Sequence, residues 1–125
     1  MPRVGELSAG ELPTRQSQPE RETTKVYKWS QVPEEQVSPL ASRQMIHTET
    51  MTVVRRRLSK GAVLRLHRHP EEQISMIERG KLRFVVCEEE EIVGGGETYV
   101  IPPNAPHSVE ALEDSVVMDL FARPS

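Results

Sequence analysis

A single cysteine, Cys87, stands in a chain of 125 residues, so neither an internal disulfide framework nor a zinc site built from cysteine pairs is available. Positive charge is not in excess either. Sixteen Lys and Arg against nineteen Asp and Glu leave a net charge of -3, which argues against a nucleic-acid binder that works by phosphate neutralisation. No apolar run approaches the roughly 20 residues that span a bilayer, and no apolar leader segment follows the N-terminus, which makes the cytoplasm the default location. Apolar periodicity of 3.6 is sustained nowhere over the length of an ordinary helix. What the chain does have is ten prolines, seven glycines and four histidines. The first two suit a β-rich chain with many turns. The last are what remains to hold a metal, with oxygen ligands in support.

Residues 1–24 carry Pro2, Pro13 and Pro19 with scattered charge and no periodicity, and read as a disordered or strand-swapping arm ahead of a domain over 25–125. The first strand is expected at Val26–Trp29, with Glu34-Glu35 in a loop between Pro33 and Pro39. From Ser42 on, short alternating segments are separated by turns. Arg43–His47 and Met51–Leu58 form a hairpin, Gln73–Ile77 and Leu82–Cys87 pair around Gly80, and Glu88–Glu91 is a solvated loop. Seven to nine such strands indicate a sandwich or a small barrel. Cys87 reads as a small buried residue, and Arg55-Arg56-Arg57 as charge at an edge or interface.

His67 and His69 lie two apart on a predicted strand and leave the same face, together with Val63 and Arg65. Gln73 follows after Pro70, and its carbonyl oxygen can approach both rings. His107 lies 38 residues beyond His69, behind the proline loop, placed to close the site from an opposing strand. Three imidazoles and an amide oxygen suit one divalent transition metal, zinc, nickel, manganese or iron, with room left for substrate. All four donors are neutral, so the ion keeps its full charge, acts as a strong Lewis acid and attracts an anionic oxygen ligand. His47 lies outside this pattern and reads as surface, and Glu71 and Glu72 as solvated charges.

The segment Gly61-x5-His67-x-His69-x3-Gln73-x6-Gly80 resembles the first motif of the cupin superfamily, and Gly96-x5-Pro102-x-Asn104-x2-His107 the second. Gln73 stands where cupins usually carry Glu, Asn104 where they carry Gly, and Ala111 where the second motif often ends in Asn. His67 to Ser75, Ile101 to His107, Ala111 to Asp114 and Asp119 to Phe121 resemble the small single-domain branch of the pectin-degradation protein KdgF. The resemblance implies an all-β, cupin-type jelly-roll barrel, a metal held by His67, His69, Gln73 and His107, and the opening of a 4,5-unsaturated uronate ring. It also implies a catalytic Asp119, Phe121 as a wall for a sugar ring, and a homodimer to which the arm can cross. The branch places a catalytic Arg beyond this chain's last residue, and Arg123 is the nearest candidate.

Alternation alone would put Val116, Met118 and Leu120 in the core and Asp119 in solvent; the resemblance reverses that. Arg65 is either a fork for a substrate carboxylate or a rim residue. Tyr99 is a further candidate substrate contact and is either pocket or core. A metal-dependent isomerase or lyase acting on a small anionic, carbohydrate-derived molecule is the leading expectation. A dioxygenase, a polyketide-cyclase-like enzyme and a non-catalytic ligand-binding module stay open beside it.

Overall fold

A computed structural model describes residues 24–123. Ten strands make up its frame: β1 (Glu35–Ser38), β2 (Ala41–His47), β3 (Met51–Leu58), β4 (Val63–His67), β5 (Glu72–Arg79), β6 (Lys81–Val86), β7 (Glu89–Gly94), β8 (Thr98–Ile101), β9 (His107–Ala111) and β10 (Ser115–Ala122). They form two antiparallel sheets, one six-stranded in the order β1-β2-β3-β10-β5-β8 and one four-stranded in the order β4-β9-β6-β7. The expected all-β jelly-roll barrel is therefore present. Residues 1–23 of the expected arm lie outside the described residues. No helix among the described residues is long and apolar enough to cross a membrane.

Side chains alternate across each strand, and the inward rows change character along the barrel. At one end Leu58, Ile77 and Val117 of the larger sheet meet Leu82, Phe84 and Ala111 of the smaller in one buried cluster. Each such large apolar side chain contributes about 1.5–3 kcal/mol on burial. One step along β5 and β10 the paired residues are Ser75 and Asp119, and one step further Gln73 and Phe121. Ser75, Gln73, Asp119 and His107 are all buried. The barrel thus has an apolar floor and a polar upper half.

Several local expectations fail, each for a physical reason. Val26–Trp29 is not a strand. Residues 24–28 are irregular and lead into a 3-10 turn at Trp29–Gln31, while the residues expected to loop form β1 instead. The turn is tied down by Gln44, whose Nε2 donates to the carbonyls of Trp29 at 2.7 Å and Val32 at 2.9 Å. The Glu run belongs mostly to β7, because Cys87 and Glu88 take left-handed φ values of 48° and 69° and close a two-residue hairpin. That turn leaves Cys87 exposed rather than buried.

β5 and β6 do not pair with each other. β5 pairs with β10 and β8, and β6 with β7 and β9, so the chain changes sheets at Gly80. Gly80 has φ +95°, and a Cβ there would lie 2.6 Å from the Asp114 carbonyl oxygen and 2.7 Å from Ser115 Cα. Only hydrogen fits where the two sheets are drawn together. Gly80→Ala combines left-handed strain with a backbone clash and is expected to cost about 3 kcal/mol. A chemical-denaturation midpoint equal to that of the wild type would contradict this account of the crossover.

Candidate metal centre

The two sheets and one loop each contribute donors. His67 ends β4 and His107 begins β9, where they are directly paired across the strands. His69 lies just past β4, in the bend that leads to Gln73 on β5. The Asn104 amide holds that bend against the proline loop by donating to the His69 carbonyl at 2.8 Å. Asn104 adopts φ 64°, the left-handed turn that asparagine tolerates better than most residues. The ring centroids of His67, His69 and His107 are 4.3 to 5.6 Å apart. One nitrogen from each lies within 4.8 Å of the others, a three-histidine metal-site geometry.

Tautomers follow from the partners. Each Nδ1 faces a backbone carbonyl two residues away: His67 on Arg65 at 2.6 Å, His69 on Glu71 at 3.0 Å and His107 on Ala105 at 2.8 Å. A carbonyl only accepts, so each Nδ1 carries the proton and each Nε2 presents a lone pair, the arrangement of a metal-ligating imidazole. His107 Nε2 is buried with no hydrogen-bond partner. His69 Nε2 lies 3.0 Å from Gln73 Oε1, another acceptor. The two nitrogens of a neutral His69 therefore both face oxygens although the ring has one proton, and a cation shared by Nε2 and Oε1 resolves the conflict. The donor set fits a divalent transition metal ion on these grounds. Burial, reinforced by the neighbouring His67 and His69, holds His107 below the ordinary histidine range, against the opposing pull of the Ala105 carbonyl and Asp119. A lowered value keeps the imidazole neutral and available as a ligand.

Asp119 lies below Gln73 with both carboxylate oxygens engaged. Ser75 Oγ donates to Oδ1 at 2.6 Å, and Arg56 Nε donates to Oδ2 at 2.7 Å. The inward placement implied by the resemblance is what the structure has. Phe121 stands at the mouth, its ring edge-on to His69 at 5.3 Å. Arg123 is exposed at the rim of the same cavity, which measures about 350 Å³ and is also lined by Arg43, His47, Arg56 and Glu71. Three arginines, Arg43, Arg56 and Arg123, thus line the pocket against one carboxylate, Glu71.

Two proposed contacts lie elsewhere. Arg65 does not share the His67 face. Between Leu64 and His67 the β4–β9 register slips by one residue, a bulge that puts Leu64 and His67 on the inner side and leaves Val63 and Arg65 exposed. Only the Arg65 carbonyl serves the site. The same bulge corrects the expectation that Val63 shares that face. Tyr99 faces inward opposite Ser75 but packs on Phe84, ring centroids 4.8 Å apart, against the apolar cluster. Its desolvation there, with Glu91, Glu89 and Cys87 adding, raises the phenol above its ordinary range.

Arg56 is the functional residue that sequence reasoning missed. In the Arg55–Arg57 run alternation sends Arg55 outward to a bidentate pair with Glu78 and Arg57 outward to Glu34, while Arg56 shares the inner face of buried Val54 and Leu58. The flanking Val54 and Leu58 were the signal. Glu71, read as a solvated charge, lines the cavity, and its Oε1 lies 3.8 Å from His69 Nδ1.

The family model described as "Cupin domain" matches residues 54–122. A curated relative, oxalate decarboxylase OxdC of Bacillus subtilis, is 31% identical over 77 residues, covering 58% of this chain and 20% of that protein. The chain therefore spans about a fifth of that relative's length. Among solved structures, KdgF from Halomonas sp. superposes with a TM-score of 0.76 at 27% identity, covering 82% of this chain and 96% of that one. An RmlC-like cupin from Shewanella frigidimarina reaches the same 0.76 at 20% identity, over 82% and 93% of the two chains, a likeness of fold. Studies of the Bacillus oxalate decarboxylase describe Mn(II) centres in that protein, which superposes with a TM-score of 0.71 at 23% identity over 79% of this chain and 29% of that one.

Metal binding by this geometry has a direct test. Untagged protein should carry about one transition metal ion per chain by elemental analysis, and His67→Ala combined with His107→Ala should carry none. Free metal at about 100 times its dissociation constant should stabilise the wild type by about 2.7 kcal/mol and leave the double variant unmoved. Stoichiometric metal in the double variant would refute the site.

Proposed function

The chain belongs to the cupin domain family, and we propose that it is a metal-dependent isomerase or lyase that opens the ring of a small unsaturated uronate. The observation that carries this reading is an all-neutral donor set, His67, His69, His107 and Gln73, above a buried carboxylate, with His69 and the aromatic Phe121 opening on a cavity that Arg43, Arg56 and Arg123 also line. A cavity of about 350 Å³ is of the size that holds a monosaccharide-sized ligand. The likeness to KdgF from Halomonas sp. supports the reading.

Opening such a ring is an isomerisation. The anomeric hydroxyl loses a proton, the bond from the anomeric carbon to the ring oxygen breaks to give an aldehyde, and the enol so released regains a proton at carbon to become a ketone. The bound ion, of zinc, nickel, manganese or iron, supplies Lewis acidity toward substrate oxygen. Asp119 is the group placed to move the proton. Phe121 offers its ring to the sugar, and Arg123 and Arg43, which both line the cavity, offer a planar fork to the carboxylate. Arg56, itself a lining residue of the cavity, holds Asp119 in place.

Metal-loaded protein mixed with an unsaturated uronate should speed the loss of its ultraviolet absorbance, and Asp119→Asn at saturating metal should slow that by about 10²–10⁴-fold. Decay at the buffer rate with the wild type would sink the proposal. A non-catalytic ligand-binding module is the second reading, favoured by the engagement of both Asp119 oxygens. Uronate binding by calorimetry without turnover would select it.

We also propose that the chain pairs with a second copy of itself. On the outer face of the larger sheet Ile46, Val53, Leu120, Ile74 and Val100 stand in register across five strands, an uninterrupted apolar row with Val100 54% exposed. Self-pairing sets this row against itself, and the charges on the next outward row, Arg55 and Glu78, already neutralise each other. Leu120→Glu should therefore sediment as a monomer where the wild type sediments as a dimer, and a monomeric wild type would end the idea.

A further inference from the structure

The hydrogen-bond chain beneath the metal site has one allowed direction. Arg56 Nε can only donate, so Asp119 Oδ2 accepts, at 2.7 Å. The ion-paired carboxylate can only accept, so the Ser75 hydroxyl donates to Oδ1, at 2.6 Å. With its proton committed there, Ser75 Oγ shows only lone pairs to its other neighbour. The Gln73 end that meets it, at 2.9 Å, must then be the amide nitrogen. Gln73 Oε1 is thereby turned to His69, 3.0 Å from Nε2. Ser75 is 0% exposed and Gln73 4%, so no solvent competes for these bonds.

We propose that Ser75 and Asp119 are positioning residues that decide which end of the Gln73 amide faces the metal. This rests on Gln73 being a ligand, as in the function proposed above. The relay also selects Gln over Glu at this position. A carboxylate at 73 would turn its rear oxygen toward the lone pairs of Ser75, and the proton that could relieve the clash is held by Asp119. Replacing Asp119 with Asn reverses the relay. The Asn oxygen goes to Arg56 and its NH2 to Ser75, the serine proton passes to Gln73, and the amide flips to present NH2 to the histidines.

Zn(II) alone, titrated calorimetrically into untagged, metal-free, full-length protein, reads the relay without any substrate. Ser75→Ala and Asp119→Asn should each weaken Zn(II) binding by about 10–100-fold, the range typical of groups that orient a ligand. Gln73→Glu should gain at least about tenfold more affinity in the Asp119→Asn background than in the wild type, because Ser75 is then free to donate to the new carboxylate. In the Ser75→Ala background that excess should vanish, which separates the hydrogen-bond relay from simple charge repulsion between Glu and Asp. A purely structural role for Ser75 or Asp119 predicts additive effects in every background, and additivity overturns the relay. Unchanged Zn(II) affinity in Gln73→Ala would instead overturn the ligand role of Gln73. A loss in Gln73→Ala with Ser75→Ala and Asp119→Asn equal to wild type would overturn the relay alone.

Discussion

A carboxylate inside a β-barrel survives only if its charge is matched where it sits, and the Arg56–Asp119 pair is the match on which the polar half of this barrel depends. The two side chains are 16% and 5% exposed, so water does little of the compensation. Leaving one member of such a pair alone typically costs about 3–5 kcal/mol. The cross-strand geometry makes the pair possible. Arg56 lies opposite Val117, one diagonal step from Asp119, a reach that suits a long side chain. Ser75 and, through it, Gln73 are hydrogen-bonded in turn to that anchored carboxylate.

The site is also a joint between the two sheets. The smaller sheet brings His67 and His107, the larger brings Gln73, Asp119 and Phe121, and His69 occupies the bend between them. No single hairpin contains it. The distances at the centre therefore depend on features remote from it: Gly80, which lets the chain cross without a side chain between the layers, and Asn104, which clips the proline loop to the bend. An apolar floor shared by both sheets keeps the two layers from sliding.

Much of this was legible in the residues, and the failures have a common cause. Turn chemistry and period-two alternation located β2, β3, β5 and β6 closely, and motif spacing singled out the histidines that cluster. Arg65 was placed on the wrong face because a bulge breaks alternation, and a bulge leaves no local mark in a run such as Val63–His67. The β5–β6 pairing was misread because Gly80 suits a hairpin and a sheet crossing equally well. Which of these forms is decided by Asp114 and Ser115, more than thirty residues away. Pattern alone put Asp119 in solvent, since strand alternation gives no account of a buried charge whose partner lies on another strand. For Arg56 alternation does carry the signal, in buried Val54 and Leu58, but the unbroken run of charge from Arg55 to Arg57 masks it.

The anchoring of the three imidazoles has a consequence for how such a site can change over time. Each ring is aimed by a main-chain carbonyl, at Arg65, Glu71 and Ala105, and not by a side chain. Ligand orientation is then inherited with the path of the backbone, whatever side chains occupy those three positions. The side of the cavity that would meet a substrate can drift in charge and shape while the donor atoms keep their aim. A barrel built this way separates the part of its sequence that holds an ion from the part that chooses what the ion acts on.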